Sequence, residues 1–206
     1  MTQARRGPRD RREQYSLEEL LEVVAHEFLE RGYDATSMEH LSQATGRTKS
    51  SIYHHVSGKE ELLRLAVSRA LDALFAVLDE DGATSGRAVD RLEHVVRGSA
   101  RVLAAELPYV TLLLRVRGNT ETERWALDRR RELDRRLATL VRRAVSEGDL
   151  RPDLDPRLVT RLLFGMVNSL VDWLRPGQGH GDSAHGRQQV EDALVALAFD
   201  GLRPRT

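Results

Sequence analysis

Two lysines occur in this chain, Lys49 and Lys59, and the other basic side chains apart from histidine are arginines. Both stand in "ATGRTKSSIYHHVSGKEELL", residues 44–63, and no aspartate or glutamate falls between His40 and Lys59. Lys49, Ser50, Ser51, Tyr53 and His54 bring one full positive charge, two short hydroxyls, a phenol and an imidazole into six residues. Such groups donate to phosphate oxygens and to base edges, and short hydroxyls let a backbone come close. A carboxylate among them would repel phosphate. Lys59, just beyond, is placed to act as a second phosphate anchor. His54 and His55 are neighbours and point in different directions on a helix, which argues against a metal site.

A second set lies further on. Asp90, His94, Arg97 and Arg101 recur every three or four residues, away from the apolar stripe of their own helix. They form either a solvated face or a cationic rim that receives an acid or phosphate, which arginine binds bidentately. Tyr109, Trp125, Phe164, Asn168 and Trp173 are candidates to line a pocket beside that rim. The chain has no cysteine, no Gly-rich phosphate loop, no G-x-S-x-G and no H-E-x-x-H. The sequence therefore gives no reason to expect an enzyme, a resident cofactor or a metal.

The elements that must position these residues are helices. Helical periodicity runs almost throughout and strand-like alternation is nearly absent, so the fold class is all-α. Leu17, Leu20, Leu21, Val24 and Phe28 form one apolar stripe. S/T-x-x-E signatures at Ser16–Glu19, Thr36–Glu39, Ser57–Glu60 and Thr120–Glu123 predict helix starts near 17, 37, 58 and 121. Residues 37–45 and 48–55 then make two short helices separated by a turn at Gly46, which is helix-turn-helix geometry. Lys49 to His54 fall on the second of them, the helix that enters a major groove in this motif. Residues 79–86 read as a loop. Helices follow over 89–103, from Pro108, over 121–146, from Pro156 after the start signal Asp155, and over 187–202; residues 176–186 read as a flexible loop.

Thirty-two basic and thirty-two acidic residues give no net charge, so any nucleic-acid contact must come from a local patch. No apolar run approaches the roughly 20 residues that span a bilayer, and the N-terminus lacks the apolar core of a secretory signal. A cytoplasmic protein with no membrane partner is expected. Arg5, Arg6, Arg9, Arg11 and Arg12 crowd the N-terminus; residues 1–14 form either a solvated tail or a basic, flexible arm along DNA.

"GYDATSMEHLSQATGRTKSSIYHHVSGKEELL", residues 32–63, resembles the DNA-binding signature of the TetR family of bacterial repressors. The likeness rests on Gly32 and Thr36 before the first short helix, Gly46 in the turn, and "IYHHV" followed by "KEELL". It implies a helix-turn-helix head over 15–60 and a helical body over 61–206 for ligand binding and dimerisation. It also implies DNA contacts at Thr36, Lys49, Ser50, Ser51, Tyr53, His54 and Lys59, with Ile52 in the head's core. Arg47 departs from the small apolar residue more usual there; it adds a phosphate contact or is solvated.

The resemblance further implies a homodimer, its last two helices pairing with their mates through Phe164, Met166, Leu170, Leu194 and Leu197. "TLLLRVRGNTETERWALDRRRELDRRL" and "LLFGMVNSLVDWLRPGQG" are similar to the bodies of members that sense CoA thioesters, with Asn168, Trp173, Arg175, Pro176 and Gly177 carrying the match. The function this implies is a repressor released from a palindromic operator by a small effector, an acyl-CoA or aryl-CoA thioester. Control by a different hydrophobic small molecule, or by a partner protein, is the alternative.

Overall fold

The computed structural model describes residues 8–174 and 183–202, with side chains from Leu17 onward. The described backbone is helical and contains no strand. The chain divides into two compact units, residues 1–68 and 69–206.

In the first unit, α1 runs from Pro8 to Arg31, α2 from Met38 to Thr45 and α3 from Lys49 to Tyr53. α2 packs on α1, and α3 on α2. The buried side chains are the ones the periodicity selects: Leu20, Leu21, Val24, Ala25 and Phe28 from α1, Leu41 from α2, Ile52 from α3. Gly46 closes α2 in the left-handed region, φ +64°. Its N–H and that of Arg47 turn back onto the last carbonyls of the helix, a conformation that side-chain-bearing residues rarely adopt.

Three of the four sequence-read caps move. The N-cap of α2 is Ser37, whose hydroxyl accepts from the His40 N–H at 3.2 Å while His40 Nδ1 accepts from the Ser37 N–H at 3.3 Å. The capping box is thus Ser37–His40, one residue later than Thr36–Glu39. α4 starts at Lys59, and the carboxylate that reaches back to Ser57 is that of Glu61. In both places a second cap-competent residue follows the first, and it takes the position. Ser16 falls inside α1, because Pro8, Arg and Glu residues already sustain helix upstream. The residues read as an arm therefore enter the helix at Pro8. Residues 1–7, and the side chains of Arg9, Arg11 and Arg12, lie outside the described residues.

α4, Lys59–Asp79, begins in the first unit and ends in the second. The second unit continues with α5 (Asp81–Thr84), α6 (Ala88–Ala105), α7 (Leu107–Arg115), α8 (Glu121–Ser146), α9 (Pro156–Trp173) and α10 (Ala184–Leu202). α5 occupies the stretch read as a loop; it buries Ala83, whose carbonyl accepts from Arg91 Nε at 2.8 Å. α6 is the hub, packing against α5, α7, α8, α9 and α10, and it accordingly buries Leu92, Val95, Val96 and Leu103. Gly98 admits Val77, since a Cβ there would lie 2.3 Å from Val77 Cγ1.

Thr120 and Asp155 cap as the sequence indicates, accepting from the N–H groups of Glu123 (3.2 Å) and Leu158 (2.9 Å). Glu123 does more than close a box: its carboxylate accepts from the N–H groups of Arg117, Gly118 and Asn119, gathering the α7–α8 turn. α10 starts three residues before the expected 187, and Arg175, Pro176 and Gly177 lie outside the described residues.

Candidate nucleic-acid interface and ligand cleft

α3 is five residues long, capped by Thr48, whose hydroxyl accepts from the Ser51 N–H at 3.2 Å. Ile52 anchors it inward, fully buried. Lys49, Ser50, Ser51, Tyr53 and His54 are all exposed around it, and Tyr53 keeps 49% of its surface open. The Lys49 ammonium pairs with Glu39 of α2, an exposed contact that holds the Glu39 carboxyl below its ordinary value. Arg47 is half-buried and meets Glu19 at 3.3 Å. Lys49, Ser50, Ser51, Tyr53 and His54 are thus presented at the surface around α3, with the half-buried Arg47 just before it, and both cations are paired with carboxylates of the same unit.

Two residues expected to touch DNA do other work. Thr36 is 1% exposed, and its hydroxyl donates to the Gly32 carbonyl at 2.8 Å. It locks the α1–α2 turn and presents no hydroxyl to a partner. Lys59 turns inward: Nζ donates to the carbonyls of Tyr33 and Thr36 at 2.8 Å each and of Asp34 at 3.4 Å. It also lies 4.3 Å from the centre of the Tyr33 ring, which in turn meets Phe28 edge-on. A compact ammonium with three N–H groups fits three converging carbonyls in a way a planar guanidinium does not. Lys59 thus staples the α1–α2 turn, a use of its ammonium that the sequence did not indicate.

The expected pocket residues do not converge on one site. His94, Arg97 and Arg101 form no free rim. His94 pairs with Glu80 at 2.5 Å, Arg97 with Glu93 and Asp192, and Arg101 with Glu191 at 3.6 Å and Glu80 at 3.9 Å. Facing acids from α10 neutralise the stripe; Arg97 lowers the Asp192 carboxyl, whereas burial raises that of Glu191. Tyr109 is buried, with the Arg69 guanidinium 4.6 Å over its ring. Trp125 is half-buried on α8 and lines neither cavity described next. Trp173 is 51% exposed beside Met166 in a hollow between α9 and α10.

Phe164 and Asn168, by contrast, stand together at a cavity. An open cleft of about 730 Å³ runs between α8 and α9, lined by Arg130, Arg135 and Arg142 from one helix and Arg157 and Arg161 from the other. None of these five arginines is held in an ion pair among the described residues. Several other arginines of the same unit are paired: Arg87 with Asp149, Arg129 and Arg136 with Glu132, Arg131 with Asp128, Arg143 with Glu147, Arg151 with Asp153. Behind the cleft lies a smaller chamber of about 50 Å³, walled by Leu74, Leu103, Val110, Leu113 and Val167. Arg130, Asp134, Phe164 and Asn168 line both. Desolvation weakens the hold of Arg130 on its proton and raises the Asp134 carboxyl, each partly offset by the charge of the other. The sequence signal for the cleft was arginines on the flank of each apolar stripe, five and seven residues apart on α8 and four apart on α9.

The exposed apolar surface has its own pattern. Leu158, Leu162, Met166 and Trp173 run down the outer face of α9, with Leu197 of α10 74% exposed beside them. Leu170 and Leu194, expected on that face, are buried inside the chain, and Phe164 turns toward the cleft.

A helix-turn-helix head followed by a larger helical body is the architecture of a DNA-binding transcriptional regulator. The family model for bacterial regulatory proteins of the tetR family matches residues 20–66, and that for the tetracyclin repressor-like C-terminal domain matches residues 85–202. The chain belongs to the TetR family of transcriptional regulators. It is similar to SCO3833 of Streptomyces coelicolor A3, a TetR-family member of known crystal structure, with 63% identity, 90% of this chain and 91% of that one covered, and TM-score 0.83. The transcriptional repressor KstR2 of Mycobacterium tuberculosis is 28% identical over 192 residues, covering 89% of this chain and 91% of its own; the structure of this ketosteroid regulator superposes with TM-score 0.79. AibR, solved with isovaleryl coenzyme A and operator DNA, is 25% identical, with 89% and 97% of the two chains covered and TM-score 0.74. No described helix is long and apolar enough to cross a membrane.

Proposed function

We propose that the protein is a homodimeric repressor that leaves a palindromic operator when a CoA thioester occupies the α8–α9 cleft. The observation that carries this reading is the contrast among arginines on α8 and α9: five guanidiniums held in no ion pair among the described residues line one cleft, with Asp134 its single acid, while Arg129, Arg131 and Arg136 beside them are paired. Guanidinium groups not held by carboxylates are receptors for phosphates. AibR, with isovaleryl coenzyme A as its ligand, supports the same class of effector.

On the DNA side, the α3 patch of Arg47, Lys49, Ser50, Ser51, Tyr53 and His54 enters the major groove. The Lys49–Glu39 pair is exposed and worth little in water, so a phosphate can replace Glu39 at small cost. Two such helices must reach grooves about 34–36 Å apart, which requires a dimer. The α9 stripe of Leu158, Leu162, Met166 and Trp173, with Leu197, supplies the apolar face for it. α4 belongs to both units and contributes Leu74 to the chamber wall. An acyl group that displaces Leu74 moves the helix that begins at Lys59, and so shifts the population toward heads spaced wrongly for the operator.

Calorimetric titration with isovaleryl-CoA, phenylacetyl-CoA and a long-chain acyl-CoA tests the site. Binding of one thioester is expected, weakened about 10- to 100-fold in Arg161→Ala and Arg157→Ala, the worth of one charge-assisted contact. Binding that survives both substitutions unchanged rules the cleft out as the phosphate site.

A further inference from the structure

Residues 38–53, the span of α2, the turn and α3, contain a single acid, Glu39. The sequence signature assigns Glu39 to the cap of α2. His40 closes that cap instead, which leaves the Glu39 carboxylate to turn across to α3. There it pairs with Lys49, the first residue of α3, and Gln43, one turn further along α2, adds a hydrogen bond to it. Both side chains of the pair are about half exposed, and Ser50, Ser51 and Tyr53 next to Lys49 are open too. An exposed ion pair adds little to stability, and the apolar anchors of the two helices are the fully buried Leu41 and Ile52.

We propose that Glu39 and Lys49 act as a couple that reads one G·C pair in each operator half-site, which makes Glu39 a DNA-specificity residue. This rests on α3 entering the major groove, where its side chains meet base edges. In that groove guanine presents two acceptors, N7 and O6, and its cytosine presents the N4 amine beside them. The ammonium has three N–H groups, so it donates to guanine while still donating to Glu39. The carboxylate keeps a second oxygen for the cytosine amine. Each contact is the ordinary base preference of its residue, and the two fall on one base pair. In the same pose an A·T pair sets the adenine amine against the ammonium and thymine O4 against the carboxylate. The couple has no net charge, so it draws its discrimination from bases rather than phosphates. On other DNA the exposed pair opens, Lys49 takes a phosphate, and the carboxylate is left facing a repelling backbone.

The parent, Glu39→Ala and Lys49→Ala proteins select binding sites from a pool of randomised duplexes, with folding followed by thermal melts. Anisotropy then measures each protein on the parent's site and on copies with each base pair changed in turn. In the parent, one G·C pair per half-site is expected whose change to A·T costs about 10- to 100-fold, the worth of a good base contact. In both variants that cost is expected to fall below about 3-fold at this same pair and to persist at the others. Glu39→Ala should also bind the altered duplexes more tightly than the parent does, a carboxylate having left the patch. A Glu39→Ala protein with parental preferences at every pair, two variants that relax different pairs, or a parent site with no such G·C pair overturns the couple and leaves α3 in the groove. A Lys49→Ala protein that selects and binds as the parent does takes α3 out of the groove, and this inference with it.

Discussion

Lys59→Met separates the two roles open to the second lysine. The substitution keeps the aliphatic stem and deletes the ammonium, which donates to the carbonyls of Tyr33, Thr36 and Asp34 and sits over the Tyr33 ring. A hydrogen bond from a charged donor is worth about 1.5–3 kcal/mol net, and a partly exposed cation–π contact about 0.5–1 kcal/mol. Water can reach the half-buried site and recover part of this, so the loss expected is about 2–3 kcal/mol. For a domain this size that is a fall in Tm of roughly 5–15 °C, read by circular dichroism at 222 nm. Lys59→Arg should recover only part of it, because a planar fork cannot point three N–H groups at three converging carbonyls. A Lys59→Met protein as stable as the parent, with weakened and less salt-dependent binding to every DNA sequence, would refute the staple and restore the phosphate anchor.

Four further outcomes are expected. Thr36→Val should cost about 1–2 kcal/mol in the same melts by deleting the buried bond to the Gly32 carbonyl, since the carbonyl loses its partner. Tyr53→Ala and Lys49→Ala should weaken operator binding about 5- to 50-fold in fluorescence anisotropy with Tm unchanged, whereas Glu39→Gln should strengthen it a few-fold by removing a carboxylate from the patch. Leu162→Glu or Met166→Glu, on exposed positions, should leave the helical signal intact and yield monomers by light scattering, with operator binding lost. Glu61 is held below its ordinary value of 4.5, first by the Ser57 N–H and then by the Ser57 hydroxyl. A depressed acid stabilises the fold above its unfolded pKa, so this contribution should fade as pH falls through and below about 4.5; Glu61→Gln should flatten that part of the pH–Tm curve.

The helical class, the helix-turn-helix and the positions of its inward residues were legible because period and turn chemistry are local. Gly46 had to be a left-handed stop, and Ile52 had to face the core whatever lay around it. Caps were less legible where two candidates adjoin: Thr36 and Ser37 both offer a hydroxyl, and only packing decides that Thr36 is buried and Ser37 caps. Long-range partners were not legible at all. Nothing in the sequence tells Lys59 that three carbonyls of the α1–α2 turn converge on it, or His94, Arg97 and Arg101 that Glu80, Glu191 and Asp192 will face them. The same limit concealed the cleft. Arg130 and Arg161 read as ordinary charges on two helices until α8 and α9 are packed, and the space between them holds no neutralising acid except Asp134.

Binding of the purified protein to its own upstream DNA, followed by anisotropy with isovaleryl-CoA, phenylacetyl-CoA, a long-chain acyl-CoA and free CoA, tests the central claim most directly. The expected result is tight binding that one thioester abolishes, that free CoA leaves intact, and that Arg161→Ala protects from release. Binding that none of the thioesters alters would contradict the thioester-released repressor.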